Sequence, residues 1–232
     1  MKNDIEIFKT LFGASPESIK ETCIVTPFYS KETLEGLKIP EVSRGLLYSC
    51  GNNDSISVII TKMGAGFVGD AVLYLKNTKC KNLIFFGACG ALNQTFKIGD
   101  MALIEKAYSQ DSFANMLLKR KLSDTFYPDS ALFKKLLPYV TKTNCLSVGS
   151  LKLEEEYLET LKNMPVDVID METSVFLLAS THIKKKAAAL LYITDILKVN
   201  PYYNTFKKDN LQNLKNITAN CAKNLFELIK LV

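Results

Sequence analysis

The chain has no tryptophan and, in 232 residues, one histidine, His182. A metal site or relay built from several imidazoles is therefore excluded. His182 itself lies near a helix end, before Lys184-Lys185-Lys186, and reads as a surface residue beside a solvated turn. Arginine is almost as scarce. Only Arg44 and Arg120 accompany the lysines among the 29 basic residues, and the net charge is a modest +5. No basic stripe interleaved with aromatics occurs, so nucleic acid is not an expected partner. The six cysteines, Cys23, Cys50, Cys80, Cys89, Cys145 and Cys221, form no C-x-x-C pair. Neither a zinc site nor a dithiol motif is indicated, no metal is expected, and the thiols read as reduced and cytoplasmic. The start, Met1 to Glu6, carries early acids and no apolar h-region, which is unlike a signal peptide. No apolar run approaches the ~20 residues a membrane helix needs.

What is present is a hydrophobic content of 47%, enough for a substantial core, and the length suits one domain over residues 1–232. The organising stretch is Asn82–Asp100, NLIFFGACGALNQTFKIGD. Leu83 to Phe86 is a continuous apolar run, the mark of a strand buried on both faces. At Gly87-Ala88-Cys89-Gly90-Ala91 the residues turn small and predict a loop where backbone and ligand can approach closely. Lys97-Ile98-Gly99-Asp100 then separates this run from a second, Met101–Ile104.

Around this centre strands alternate with helices. Periodicity predicts helices at 2–12, 66–76, 130–139, 153–163, 171–181 and 209–230. Strands are expected at 23–25, 82–87, 101–108, 144–148, 166–169 and 187–193. A hairpin joins 44–50 to 55–61 across Gly51-Asn52-Asn53-Asp54. Residues 109–130 read as a long loop, and 196–206 as an irregular segment. Direct strand–strand steps among the βα units predict a three-layer α/β/α sandwich with a mixed central β-sheet.

Three features could carry chemistry. Gly64-Ala65-Gly66-Phe67-Val68-Gly69 matches G-x-G-x-x-G between a predicted strand and helix, as a dinucleotide fingerprint would. The acid expected about 20 residues later is missing, since no Asp or Glu lies between Asp70 and Asp100. A tight turn without a ligand, or a turn lining a nucleoside pocket, remains open. Asp170-Met171-Glu172 enters a helix after an apolar strand. Asp170 suits an N-cap and Glu172 the first turn, or else Glu172 projects into a cleft and accepts hydrogen bonds from sugar hydroxyls. Asp195 follows the apolar run Ala187–Ile193. Desolvation there would raise its pKa and fit it for general-acid work, unless it only caps a loop after Thr194.

Together these pieces resemble the purine-nucleoside/uridine phosphorylase family, which includes the methylthioadenosine/S-adenosylhomocysteine nucleosidases. The matching segments run from Ile24 to about Leu228. They are Arg44-Gly45-Leu46-Leu47, Gly64-Ala65-Gly66, Phe86 to Ala91 with Lys97 to Asp100, Asp170-Met171-Glu172 and Thr194-Asp195. The resemblance implies a nucleoside phosphorylase-like fold and cleavage of the N-glycosidic bond of a purine-type nucleoside. It implies Asp195 as the acid at a purine nitrogen and Glu172 on the ribose, with Met171 packed beside it. Tyr157 would stack on the base, Lys208 would lie near the catalytic acid, and Gly66, Ala88, Cys89 and Gly90 would line the substrate. Arg44 and Gly87 would meet phosphate.

No cofactor is implied beyond inorganic phosphate as co-substrate. The expected partners are a small nucleoside and further copies of the chain, as a dimer or trimer of dimers. Phosphate is the slightly favoured acceptor. Water is the alternative, as is a catalytically altered nucleoside-binding member. Phosphorolytic members carry two Arg and a Ser where this chain has Tyr29, Phe85 and Ala88. The water-activating Glu of the hydrolytic branch also lacks a clean counterpart, since Lys31 aligns there and Glu32 lies beside it.

Overall fold

The computed structural model describes residues 2–109, 125–151, 164–197, 199–205 and 207–232. Its helices are α1 (Lys2–Phe12), α2 (Lys31–Gly36), α3 (Ala65–Tyr74), α4 (Ser130–Leu136), α5 (Thr173–His182), α6 (Tyr202–Thr205) and α7 (Leu211–Ile229). The strands are β1 (Thr22–Thr26), β2 (Val42–Arg44), β3 (Ser49–Asn52), β4 (Ile56–Ile60) and β5 (Asn82–Ala91). They continue with β6 (Met101–Ser109), β7 (Thr125–Phe126), β8 (Thr141–Ser147), β9 (Val168–Asp170) and β10 (Lys186–Ile196). The expected helix at 153–163 and most of the expected long loop lie outside the described residues.

The sheet is mixed, as expected, and helices cover both faces. Strand alternation assigns the two faces. Cys23, Val25, Leu83, Phe85, Ala187, Ala189 and Leu191 share one apolar cluster with Phe8 and Phe12 of α1, Val68 and Val72 of α3 and Phe176 of α5. The intervening Ile24, Ile84, Phe86, Ala188, Leu190 and Tyr192 pack with Leu34 of α2, Leu132 of α4 and Leu225 of α7. This double burial explains why β1, β5 and β10 read as unbroken apolar runs. Each large side chain so buried contributes about 1.5–3 kcal/mol.

Strand order is β10-β6-β8-β9-β5-β1-β4-β3-β2, and β10 also pairs with β5. Five strands therefore close into a ring, β5-β10-β6-β8-β9. The ring depends on the length of β5. Its first half lies parallel between β1 and β10, and its last residues, Gly90 and Ala91, pair antiparallel with Ile169 and Val168 of β9.

This corrects the expected loop at 87–91, because the strand runs on through its small residues. Their smallness serves close packing instead. A Cβ on Gly87 would lie 2.9 Å from the Phe85 ring, and one on Gly90 would lie 2.5 Å from Leu197 Cδ1. The expected strand 44–50 is likewise divided. A turn at 45–48 separates β2 from β3, with the Gly45 amide donating to the Tyr48 carbonyl at 2.8 Å. The β3–β4 hairpin tightens around Asn53, whose Oδ1 accepts from the amides of Ser55 and Ile56, each at 2.9 Å.

All six cysteines are free and buried. Among the described residues no helix is long and apolar enough to cross a membrane. His182 is exposed at the end of α5, as its sequence context suggests.

Candidate active site

The C-terminal ends of β5, β9 and β10 converge on one cavity of ≈ 330 Å³. Ligands of open α/β sheets bind at such strand ends, and the volume lies within the range of small-molecule sites. Ala88, Cys89 and Gly90 of β5 line it, with Ile169 and Asp170 of β9, Met171 and Glu172 ahead of α5, and Thr194 and Asp195 of β10. Phe28, Met63, Leu151 and Tyr202 complete the wall.

The two acids at the head of α5 have separate tasks. Asp170 is the cap. Its Oδ2 accepts from the Thr173 amide at 2.8 Å and the Thr173 hydroxyl at 2.5 Å, while Oδ1 accepts from the Ser147 hydroxyl at 2.6 Å. Burial raises its pKa, against the pull of these donors towards ionisation.

Glu172 has φ −138° and ψ −25°, so it stands outside the helix and its side chain makes no cap bond. It is 4% exposed, and its Oε1 accepts from the Gly64 amide at 2.6 Å. Burial, then the charge of Asp170, pushes its pKa up to about 8, while the amides of Gly64 and Met171 pull the other way.

Asp195 reaches the cavity through a bulge. The β5–β10 register runs evenly from Lys186 opposite Asn82 to Ile193 opposite Cys89, then skips Thr194 so that Asp195 faces Gly90. A bulge re-aims the side chains that follow it. A Cβ at Gly90 would come within 2.9 Å of Asp195 Oδ2, so glycine leaves the room this acid occupies. The Thr194 hydroxyl donates to Asp195 Oδ1 at 2.8 Å. Burial raises the pKa of Asp195, partly offset by that hydroxyl. The Cys89 thiol is also pushed well up by burial and by the charges of Asp170 and Asp195, so it is a neutral wall group.

Of the site residues expected from sequence, the cavity brings together Glu172, Asp195, Met171, Ala88, Cys89 and Gly90. Gly66, Gly87, Lys208 and Arg44 are not on its wall. Lys208 is exposed in a short 3-10 turn. Gly87 packs on Phe85, and Gly66 lies in the first turn of α3. Arg44 is exposed, with its guanidinium 5.8 Å from the centre of the Tyr29 ring. Tyr157 lies outside the described residues. Phe85 is fully buried and packs on Phe176 at 5.3 Å between ring centres, within the core.

Sequence reasoning missed Phe28, Met63, Leu151, Ile169 and Tyr202 as wall residues. Each is an ordinary apolar or aromatic residue, and nothing local distinguishes it from core.

The glycine motif is also resolved. The Gly64 amide, which a pyrophosphate would need, already serves the Glu172 carboxylate. An amide already engaged is not available to a pyrophosphate, which counts against the dinucleotide reading. Among the described residues no group of three or more His, Cys, Asp or Glu could hold a metal ion.

Comparison with known proteins places this geometry in context. A family model described as the phosphorylase superfamily matches residues 11–230. A DeoD-type purine nucleoside phosphorylase of Brevibacillus brevis is 23% identical over 200 residues, covering 79% of this chain and 85% of that protein. One of Bacillus velezensis is 26% identical over 178 residues, covering 72% and 76%. The fold is similar to that of the 5′-methylthioadenosine/S-adenosyl homocysteine nucleosidase of Campylobacter jejuni. The TM-score is 0.70 at 15% identity, over 91% of this chain and 98% of that one. An AMP nucleosidase from Bacteroides thetaiotaomicron superposes with a TM-score of 0.72 at 16% identity, over 97% of each chain.

Proposed function

The chain belongs to the phosphorylase superfamily, and from that membership we propose that it cleaves the N-glycosidic bond of a purine-type nucleoside and transfers the sugar to water. The observation that carries the choice of acceptor is that no Lys, Arg or His lines the wall among the described residues. Its ionisable side chains there include the three carboxyls of Asp170, Glu172 and Asp195 and no cation. A phosphate dianion needs cations or several donors to replace its hydration. Here it would enter beside acids, with Phe85 and Ala88 where phosphorolytic relatives place Arg and Ser. Water carries no such cost. The purine preference draws on the names of the relatives and on the acid at position 195.

In this reading Glu172 accepts hydrogen bonds from the sugar hydroxyls and strengthens its hold as positive charge grows on the sugar. The C–N bond breaks with its electron pair passing to the base. Asp195, in the protonated form that burial favours, delivers its proton to a base nitrogen and so neutralises the leaving group. Water then adds its oxygen to the anomeric carbon, and the proton it sheds restores the acid. Met171 packs against the sugar, and Ala88, Cys89 and Gly90 floor the cavity. The direct test is product analysis of adenosine incubated with and without phosphate. Free base and free ribose at a rate unchanged by phosphate are expected. Ribose 1-phosphate formed only when phosphate is present would establish phosphorolysis instead. Nucleoside binding without any product would establish a binding protein.

A further inference from the structure

The Gly64-Ala65-Gly66 turn has no ligand in the function above, yet one of its glycines touches the site chemistry. Gly64 adopts φ +106° and ψ 145°, a conformation L side chains rarely adopt. A Cβ built on it would meet nothing within 4 Å. Space therefore does not require glycine at this position, and the backbone does. Gly66 has equally open surroundings and lies within the regular first turn of α3.

What the unusual backbone achieves is visible in its hydrogen bond. With α3 fixed downstream, φ at residue 64 sets the plane of the preceding peptide and so the direction of the Gly64 N–H. That N–H points at Glu172 Oε1, 2.6 Å away and 108 positions later in the chain. The distance is shorter than the usual ~2.9–3.0 Å of a backbone N–H bond to oxygen. Glu172 is free to be held this way because Asp170 has taken over the capping of α5. A left-handed glycine beside a functional carboxylate also fits the general clustering of backbone strain at active sites.

We propose that Gly64 is a positioning residue for Glu172: its amide, turned inward by a glycine-only backbone, clamps one carboxylate oxygen and leaves the other for the sugar hydroxyls. The sugar-facing half of this rests on the reading of Glu172 given above. The clamp itself does not, and the two can be tested apart.

Burial and Asp170 raise the Glu172 pKa to about 8, and the Gly64 amide opposes them because it donates to the ionised form. The other titratable groups on the cavity wall are Asp170 on β9, Asp195 on β10, Cys89 on β5 and Tyr202 on α6. The first experiment follows the Gly64 amide of the unmodified full-length chain by 1H–15N NMR from pH 5 to 9.5. Its proton is expected to move downfield with a midpoint near that of Glu172, and to lose this titration in Glu172→Gln. A Gly64 signal indifferent to Glu172 overturns the clamp.

The second experiment compares nucleoside affinity and steady-state kinetics of Gly64→Ala with the parent protein. The expected result is a roughly 10-fold rise in KM with a smaller change in kcat. The acid limb of kcat/KM should move up by about one pH unit, the size of one lost hydrogen bond to a charged group. In a Glu172→Ala background, which removes the clamped acceptor, the same change should do nothing further to affinity. A titrating Gly64 signal in a chain without turnover keeps the clamp and removes the enzymatic reading. An active chain whose Gly64→Ala variant keeps its KM and pH profile removes the positioning role. If that variant does not fold, the decision rests on the NMR titration, which uses no change at residue 64.

Discussion

Replacing Glu172 by Gln should stabilise the protein at high pH while crippling it as an enzyme. A carboxyl whose folded pKa lies above its unfolded one favours folding fully only below the unfolded value. That contribution disappears as pH rises through the folded value. For Glu172 the window runs from 4.5 to about 8. The interval is 8 minus 4.5, or about 3.5 units, and each unit is worth 1.36 kcal/mol, so the loss is bounded at about 5 kcal/mol. At 4% exposure solvent screening relieves little of it. Local relaxation and water entry reduce the bound, and half of it is about 2–3 kcal/mol. For a chain of this size that is about 5–10 °C in melting temperature.

The uncharged amide of Gln escapes this cost and still accepts from the Gly64 amide. Melts of both proteins at pH 5, 7 and 9 and matched ionic strength give the difference curve, in which titrating groups that do not interact with residue 172 cancel and the Asp170–Glu172 pair is read together. The variant should match the parent near pH 5 and melt higher at pH 9, with kcat/KM reduced at least 100-fold. A difference independent of pH, or a parent whose advantage grows with pH, would refute the buried, raised carboxyl.

Asp195→Asn should lower kcat by about 10²–10⁴ with KM within a few-fold, as expected for a proton donor acting in the transition state; equal losses in both would remove it from that role. Gly90→Ala would put a methyl 2.9 Å from Asp195 Oδ2 and 2.5 Å from Leu197 Cδ1, and should cut kcat at least 10-fold in a protein that still folds. Gly36→Ala would drive α2 into α7, where Ala222 Cβ lies 2.6 Å from the new methyl. It should cost about 1–3 kcal/mol in denaturant titrations and leave kcat unchanged.

Much of this architecture was legible because the central strands are buried on both faces and the outer helices on one. Leu83–Phe86 and Ala187–Ile193 announce themselves as apolar runs, and α7 shows its stripe through Cys221, Leu225 and Leu228. The continuation of β5 through Gly87–Ala91 was not legible. Small residues there mean close packing against Phe85 and Leu197, and only the tertiary partner separates that from a loop. The division of labour between Asp170 and Glu172 hangs on one backbone angle pair at residue 172, which two neighbouring acids in a sequence do not disclose. Asp195 was found by its place near a strand end, but its orientation comes from the irregularity at Thr194. Arg44 and Lys208 were placed by family pattern, and in the structure both side chains are exposed and absent from the cavity wall.

The ring formed by β5, β10, β6, β8 and β9 has a consequence for solution behaviour. A strand with one unpaired side is a template on which other chains can add, the first step towards fibrous aggregates. Here each of the five ring strands has a partner on either side over part of its length, and the terminal strands among the described residues are β2, three residues long, and β7, two. So short a rim offers an incoming peptide few backbone groups to grip, which limits edge-to-edge pairing at β2 and β7.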